Sequence, residues 1–315
     1  MNAGSQPVPW DVAAYLERIQ AEAGDATGWD GWRIRTKQRL RVWWFRAALR
    51  GNLEVFADPA LRPVLDQDLN HGQRVLRPYL IRGLKPAGRL LAVRDHFQFL
   101  LAHLSPQAIH QIYVEGAVLL RRETPAGEVT LKLLPPTGLG REGELRIDLQ
   151  VDGRTLHMLA VAVVSPQRLG LEGAEPVLWI GCSKGPGAEE DFPELIKRVT
   201  KAMQGMRPKA LILHAAQALV AGWGLAGLYG VANEGTVFAG YRDLKKRIKA
   251  DYDQFWQEYD ALPLSPHVYQ LPLEPIARDP ATLASSKRSA AVRKAATARQ
   301  WYDDLARAAA ELQRK

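Results

Sequence analysis

Two glutamates, Glu142 and Glu144, flank a glycine at the head of a predicted strand, a spacing that suits acid–base chemistry. Side chains two residues apart in a strand lie on the same face, so we expect the two carboxyl groups side by side. Paired carboxyl groups in a partly dehydrated cleft raise each other's pKa, which suits removal of a proton from an attacking amine or hydroxyl. The alternative is a solvated strand edge whose charges prevent pairing with another strand.

Three other side chains of reactive type lie in apolar segments. His157, in a predicted strand, is the next candidate for a catalytic base, and His214 lies on an apolar helix; the alternative for each is a hydrogen-bonded core histidine. Cys182 precedes Lys184, whose charge would favour a thiolate, although a small buried core residue fits equally well. A single cysteine excludes an intramolecular disulfide and a thiolate zinc cluster, and no ligand motif predicts a metal.

The segment QGMRPK, residues 204–209, has the residue types that hold a phosphate at the start of a helix. Gly205 permits close backbone approach, and Pro208 suits a first helical turn. The candidate cofactor-binding residues in and around this segment are Lys184, Lys201, Gln204, Gly205, Arg207, Lys209 and Asn233. The alternative is that Gly205 caps the preceding helix and the cations offset its dipole.

A second basic segment, residues 32–50, carries seven cations, no acid and four aromatic residues. Such a helix can bind RNA through phosphates and base stacking, or an anionic membrane surface by burying its aromatic side. The alternative is a helix that packs on the core through its tryptophans while its arginines stay solvated. The candidate nucleic-acid-binding residues here and in the basic C-terminal tail are Arg35, Arg39, Arg41, Arg46, Lys287, Arg288, Arg293 and Lys294.

Hydrophobic periodicity divides the chain into three zones that must position these residues. Residues 1–110 predict a helical, basic N-terminal region, 111–240 an α+β core with an antiparallel or mixed sheet, and 241–315 a helical, proline-rich, basic extension. The β-rich runs of the core are 128–134, 144–151, 155–164 and 176–182, followed by a helix from Pro208 and a strand in 227–233. Asp152 and Gly153 predict a tight hairpin turn, and the prolines of 263–280 predict a surface connector.

The compartment and the partner follow from the same composition. The 23 uncharged residues of 210–232 are long enough to cross a bilayer, but the glycines of their second half favour a helix followed by a buried strand. The N-terminus has no apolar run after basic residues, so we expect a cytoplasmic protein. The alternative is a peripheral location at the membrane surface. A net charge of +8 predicts an anionic partner, either tRNA or an anionic membrane surface.

Six short strings carry a resemblance to a known family: REGELRIDL at 141–149, WIGCSKG at 179–185, TKAMQGMRPKAL at 200–211, GVAN at 230–233, DYDQFW at 251–256 and SSKRSAAVRK at 285–294. Together they resemble the VirK/YbjX family of bacterial proteins. The resemblance implies a link to virulence and to resistance against antimicrobial peptides, without a defined biochemical activity. The family tends to have Gln where this chain has Lys184, so a ligand bound at that position would differ.

The order of elements around QGMRPK also resembles the core of the GNAT acyltransferases, in which a helix N-terminus holds a pyrophosphate. The spacing departs from the Q-x-x-G-x-G/A pattern of that superfamily, so the likeness rests on the order of elements alone. We therefore expect transfer of an acyl or aminoacyl group, from a coenzyme A thioester or an aminoacyl-tRNA, to an amine or hydroxyl of a small molecule or peptide. The alternative is a non-catalytic protein that binds RNA or a membrane surface, with a filled core and one continuous basic face.

Overall fold

The computed structural model describes residues 11–22, 28–186, 191–240, 250–277, 279–282 and 284–314. Within these ranges, helices fill the first zone, flank the sheet and form the C-terminus. They are α1 (Val12–Glu22), α2 (Gly28–Trp44), α3 (Arg46–Val55), α4 (Arg62–Gln67), α5 (Pro86–His103), α6 (Pro106–His110), α7 (Phe192–Ala202), α8 (Pro208–Trp223), α9 (Tyr252–Gln257) and α10 (Ser285–Glu311).

One mixed eight-stranded sheet forms the centre of the described chain, in the order β1-β2-β3-β4-β5-β6-β8-β7. Its strands are β1 (Ala117–Thr124), β2 (Gly127–Leu134), β3 (Leu145–Val151), β4 (Arg154–Val164), β5 (Val177–Lys184), β6 (Leu228–Val231), β7 (Leu262–Ser265) and β8 (Val268–Leu271). Neighbours pair antiparallel except β5 and β6, which are parallel and joined by the crossover through α7 and α8. The predicted α+β class with a mixed sheet is confirmed.

The hairpin between β3 and β4 forms where the sequence predicts it. Asp152 and Gly153 both adopt positive φ angles, 47° and 76°, as a two-residue hairpin turn requires. The meander β1 to β5 consists of β-rich runs, and β3, the second half of β4 and nearly all of β5 are buried. Strand β1 was not predicted, because the first β-rich run expected from the sequence begins at residue 128.

The helices pack on the sheet around a shared apolar core that includes residues from Tyr15 to Ala309. The second half of α10 lies against α8, where the indole N–H of Trp301 donates to the carbonyl of Leu211 at 3.3 Å. The indole of Trp223, at the end of α8, donates to the carbonyl of Ala309 at 3.2 Å. These contacts bring the C-terminal basic helix to the N-terminal end of α8.

Two segments of ambiguous composition have definite structures. Residues 210–232 form most of α8 and then β6, and no described helix is long and apolar enough to cross a membrane. The proline-rich connector expected after residue 260 instead contains a hairpin, β7 and β8, that extends the sheet at its far edge. Pro263 is tolerated because it lies on the outermost strand, where a missing N–H interrupts no ladder to a further strand.

Candidate functional site

A cavity of about 610 Å³ opens beside the C-terminal half of β5. The parallel pairing of β5 with β6 covers only Leu178 to Ile180 of β5, and β6 ends at Val231, so the last four residues of β5 have no strand on that side. The polar and small residues lining this first cavity include Glu142, Gly181, Cys182, Ser183, Lys184 and Tyr252. The unpaired end of β5 therefore contributes to a site with convergent polar groups.

A β-bulge at Gly181 brings the loop of Glu142 against the strand. Val161 of β4 pairs with Ile180, but Ala160 pairs with Cys182, so Gly181 is an extra residue in β5. A Cβ at position 181 would collide with the backbone carbonyl oxygen of Glu142. Glycine is therefore required for the loop to approach the strand this closely.

Glu142 is the residue of the first cavity whose carboxyl group best suits acid–base chemistry. Its side chain is largely enclosed, and burial raises the pKa of its carboxyl from 4.5 to about 7, although the charges of Arg141 and Arg74 oppose the shift. A carboxyl group that titrates near neutrality exists in both forms at physiological pH. It can accept a proton and return it.

Cys182 and Tyr252 fill the gap beside the end of β5. The hydroxyl of Tyr252 lies 3.6 Å from the Cys182 sulfur and accepts the Ser183 backbone N–H at 3.4 Å, in the place of a strand carbonyl. Burial raises the pKa of the Cys182 thiol to about 12, so the thiol stays protonated at neutral pH. This disfavours the thiolate interpretation and favours Glu142 as the reactive group.

Asn233 holds the short helix that supplies Tyr252. Its side-chain oxygen accepts the backbone N–H of Tyr252 at 2.8 Å, and its side-chain nitrogen donates to Asp251 at 2.9 Å. Its backbone N–H donates to Asp253 at 3.0 Å. Predicted as a cofactor-binding residue, Asn233 acts in this structure as a positioning residue for Tyr252.

His157 lies close to the first cavity but not on its lining. Its Nε2 is 2.9 Å from the hydroxyl of Ser183, and burial lowers the pKa of the imidazole to about 4. The imidazole is therefore neutral at physiological pH and bound to a serine. Its catalytic role stays a prediction, now secondary to that of Glu142.

Glu144 lies in a different environment from Glu142. It is fully buried, 2.9 Å from His71 Nδ1 and 3.4 Å from Arg74 Nε, and the hydroxyl of Tyr113 donates to its backbone carbonyl. Burial opposes ionisation, but the charge of Arg74 and the hydrogen bond from His71 outweigh it and lower the pKa of Glu144 below its usual range. The expected pair of neighbouring carboxyl groups at one cleft is therefore not formed, because residues 142–144 precede β3 and do not alternate as a strand.

A second cavity, of about 820 Å³, joins two of the predicted basic segments. Gly205, Arg207 and Lys209 line it from the start of α8, and Lys287 and Lys294 line it from α10. The two groups lie about eighty positions apart in the sequence. The residues near α8 were predicted to bind a cofactor, and those of α10 to bind nucleic acid. The contact of α10 with α8 brings them together.

The remaining residues of the QGMRPK region have local roles. Gln204 and Gly205 adopt positive φ angles, and the Gly205 N–H donates to the carbonyl of Thr200 at 2.7 Å, which caps α7. The capping alternative is thus satisfied at the same time as Gly205 lines the second cavity. Lys201 is exposed on α7 and lines neither cavity, whereas the exposed Lys184 lines the first.

The basic residues of the N-terminal zone lie apart from both cavities. Arg39 and Arg46 are exposed, and Arg35 and Arg41 are half-buried on α2. In α10, Arg288 and Arg293 are exposed but do not line the second cavity, in contrast to Lys287 and Lys294. The predicted nucleic-acid residues therefore divide between a helical surface and a cavity wall.

Sequence reasoning missed Tyr252, His71 and Arg74. A signal for Tyr252 was present, because it belongs to the string DYDQFW that carries part of the family resemblance. His71 and Arg74 lie in a segment with neither a motif nor a clear period, and only the fold brings them to Glu144. Among the described residues, no group of three or more His, Cys, Asp or Glu side chains has an arrangement that could hold a metal ion.

The fold and its first cavity define an α+β protein with a mixed sheet and a polar site beside the unpaired end of β5. The chain belongs to the family described as "Protein of unknown function (DUF535)", whose profile matches residues 27–310. The predicted VirK/YbjX membership is confirmed.

Two curated relatives are similar over most of their length. The chain is 28% identical over 236 residues to "Uncharacterized protein YbjX" of Escherichia coli (strain K12), covering 73% of this chain and 69% of the relative. It is 23% identical over 227 residues to an "Uncharacterized protein" of Haemophilus influenzae, covering 71% and 72%. No solved structure gives a significant match, so the GNAT-like order of elements stays a prediction.

Proposed function

We propose that this protein transfers an acyl or aminoacyl group to an amine or hydroxyl, with Glu142 as the general base. The observation that carries the proposal is the position of Glu142, a carboxyl group with a pKa near 7 in a cavity beside the end of β5, beyond the residues that pair with β6. A base with a pKa near the working pH combines adequate basicity with a large deprotonated fraction. The protonated thiol of Cys182 favours direct transfer over a covalent thioester on the enzyme.

In the proposed reaction the acceptor's nitrogen or oxygen attacks the carbonyl carbon of the donor. Glu142 takes the proton that the acceptor loses, and the bond between the acyl carbon and the donor's sulfur or oxygen breaks. The leaving group then receives the proton from Glu142, so the carboxylate is regenerated. The walls of the first cavity would limit water, which otherwise hydrolyses the donor.

The donor's phosphates would bind in the second cavity. Its lining has four cations, Arg207, Lys209, Lys287 and Lys294, against the two acids Glu258 and Asp260. Both a coenzyme A thioester and an aminoacyl-tRNA carry phosphates that such a wall attracts. Lys209, at the start of α8, adds to the effect of burial in lowering the pKa of His157, which lies close to the first cavity.

The test is turnover of acetyl-coenzyme A and of charged tRNA with a panel of amine and hydroxyl acceptors, at pH 6 to 9. Release of free thiol or of deacylated tRNA is the readout. Glu142→Gln should lower kcat at least about a hundredfold with little change in donor affinity, because an amide cannot accept the proton. The parent rate should fall as the pH drops below about 7, where Glu142 becomes protonated.

Glu115→Gln, at an exposed glutamate that lines neither cavity, is the matched control and should leave the rate unchanged. Full turnover by a folded Glu142→Gln variant would show that the base lies elsewhere. Absence of turnover by the parent with every donor and acceptor would overturn the transferase proposal.

We also propose a second candidate function, docking on an anionic membrane surface, from the exposed residues of α2. Trp43 and Trp44 are 72% and 74% exposed, and the neighbouring Leu40 is 58% exposed. The expected alternative, tryptophans packed on the core, does not apply to these two side chains. Leu40 favours lipid over RNA, because an aliphatic side chain gains from burial among acyl chains but does not stack on bases.

Sedimentation with vesicles of phosphatidylserine and phosphatidylcholine tests this docking. The parent should pellet with anionic vesicles, and the double variant Trp43→Ser, Trp44→Ser should not. The double variant Lys197→Gln, Lys201→Gln, which removes exposed charge from α7, should still pellet. Binding of tRNA by the parent without binding to vesicles would contradict the lipid assignment.

A further inference from the structure

The second cavity contains a histidine whose tautomer is fixed by its neighbours. Gln217 donates its side-chain N–H groups to the carbonyls of Pro272 and Glu274, at 2.9 and 3.0 Å. These bonds orient the amide, so its oxygen faces His214 Nδ1, 2.8 Å away. Because an amide oxygen only accepts, Nδ1 of His214 must carry a hydrogen.

The other ring nitrogen, Nε2, is consequently a bare acceptor in the neutral imidazole. His214 is 7% exposed and lines the cavity, and no residue of the described chain forms a hydrogen bond with its Nε2. Burial and the charge of Lys294 lower the pKa of His214, which favours the neutral form. An acceptor of this kind, in a basic cavity, needs a ligand that is anionic and also brings a hydrogen.

The groups that face His214 from the surrounding elements are mostly cationic. Arg207 and Lys209 come from the start of α8, and Lys287 and Lys294 from α10. The acidic groups, Glu258 and Asp260, follow α9 together with Tyr259, and Glu258 forms an ion pair with Lys209. After that pairing, the described lining keeps three cations, Arg207, Lys287 and Lys294, against one acid, Asp260.

Phosphate monoesters meet both requirements of this cavity. Their second ionisation has a pKa of about 6, so near neutral pH they exist both as the dianion and as a monoanion with one O–H. A phosphodiester of a nucleic-acid chain has no such proton, and its oxygens would repel the bare Nε2. A sulfate ester is the same in shape and anionic, but it likewise has no proton to share near neutral pH.

We propose that the second cavity binds a phosphate monoester that shares one proton with Nε2 of His214, while Lys287 and Lys294 hold its charge. The proposal deepens the proposed function, since it assigns a terminal phosphate to the donor. It names a chemical class, a phosphate monoester, and not the whole donor. Binding should be accompanied by proton uptake, because the neutral imidazole and the dianion together lack the shared proton.

The pH dependence follows from that proton. Above about pH 8 the imidazole is neutral and the ester a dianion, so each binding event must take a proton from solvent. As the pH falls towards 6, the monoanion becomes available and the affinity should increase.

Calorimetric titration of the full-length protein with phenyl phosphate and with phenyl sulfate, at pH 6, 7 and 8, is the test. We expect phenyl phosphate to bind about tenfold more tightly than phenyl sulfate at pH 6 and 7. Heats measured in two buffers of different ionisation enthalpy should give uptake approaching one proton at pH 8. Equal affinity for the two esters, or no binding of phenyl phosphate by the folded parent, would overturn the proposal.

His214→Asn is the informative variant, because the asparagine amide can still donate to Gln217 but has no atom at the Nε2 position. It should abolish the preference for phosphate and the proton uptake while keeping weak binding of both esters. Lys294→Gln should weaken both esters alike, and Lys197→Gln, an exposed lysine of α7 that lines neither cavity, should change neither. These readouts need no turnover, so a failed transferase assay and a failed phosphate site are distinguishable.

Discussion

Glu142 and Glu144 are two residues apart, yet the fold gives their carboxyl groups opposite properties. Glu144 is enclosed with His71 and Arg74 and is stabilised as an anion. Glu142 is largely enclosed at the first cavity, where burial outweighs backbone hydrogen bonds and the charge of Arg141 and brings its pKa to about 7. Burial alone therefore does not decide the charge of a carboxyl group; the partners buried with it do.

The difference also separates a structural role from a chemical one. The network of Glu144, His71 and Arg74 links the helical N-terminal zone to the loop before β3, and it leaves Glu144 no access to a ligand. Glu142 lines the first cavity, so its carboxyl group is within reach of a ligand there. The same short segment thus anchors the helices on one side and places a carboxyl group at the first cavity on the other.

The largest effect is expected from Glu144→Gln. This change removes the negative charge next to Arg74, which is only 8% exposed and would retain an uncompensated buried charge. We expect a loss of about 3–5 kcal/mol in the free energy of unfolding. Urea unfolding at pH 8 measures it, with Glu142→Gln as the matched variant. Equal losses in the two variants would contradict the division between an anchoring and a free carboxylate.

An intermediate effect is expected from Gly181→Ala. The added Cβ would collide with the backbone carbonyl of Glu142 and force the loop away from β5, at a cost of about 1–3 kcal/mol. Gly185→Ala is the control, because a Cβ there meets only His157, at an ordinary contact distance of 4.0 Å. If both variants unfold at the parent's urea midpoint, the close approach of the Glu142 loop does not exist in solution.

The smallest effect is a gain. Glu142 has a pKa of about 7 in the folded protein against 4.5 as its ordinary value, so the folded state binds the proton more tightly. This stabilising contribution is complete below about pH 4.5 and is lost as the pH rises through 7. Glu142→Gln should therefore be about 1–2 kcal/mol more stable than the parent at pH 8, after allowance for partial water access, and equal to it near pH 4. Thermal unfolding at the two pH values checks the sign, and a variant less stable at pH 8 would contradict it.

Much of the sheet could be predicted because its signal is local. The β-rich runs 128–134 and 155–164 and the Asp152-Gly153 turn depend on neighbours in sequence, and the structure has strands and a turn there. The edge hairpin at 262–271 could not be predicted from local sequence, because proline is unfavourable in strands except at the edge of a sheet. Whether a strand lies at an edge is decided by the other strands of the sheet.

The sequence by itself determined the α+β class, the hairpin, the helix from Pro208 and the two basic segments, because periodicity, turn residues and charge are properties of short stretches. Only the tertiary structure decided that Glu142 and Glu144 differ, since their counter-charges come from His71 and Arg74, far away in the chain. It also decided that Lys209 and Lys294 face one cavity. Electrostatic environment depends on three-dimensional distance and burial, which no spacing along a single chain encodes.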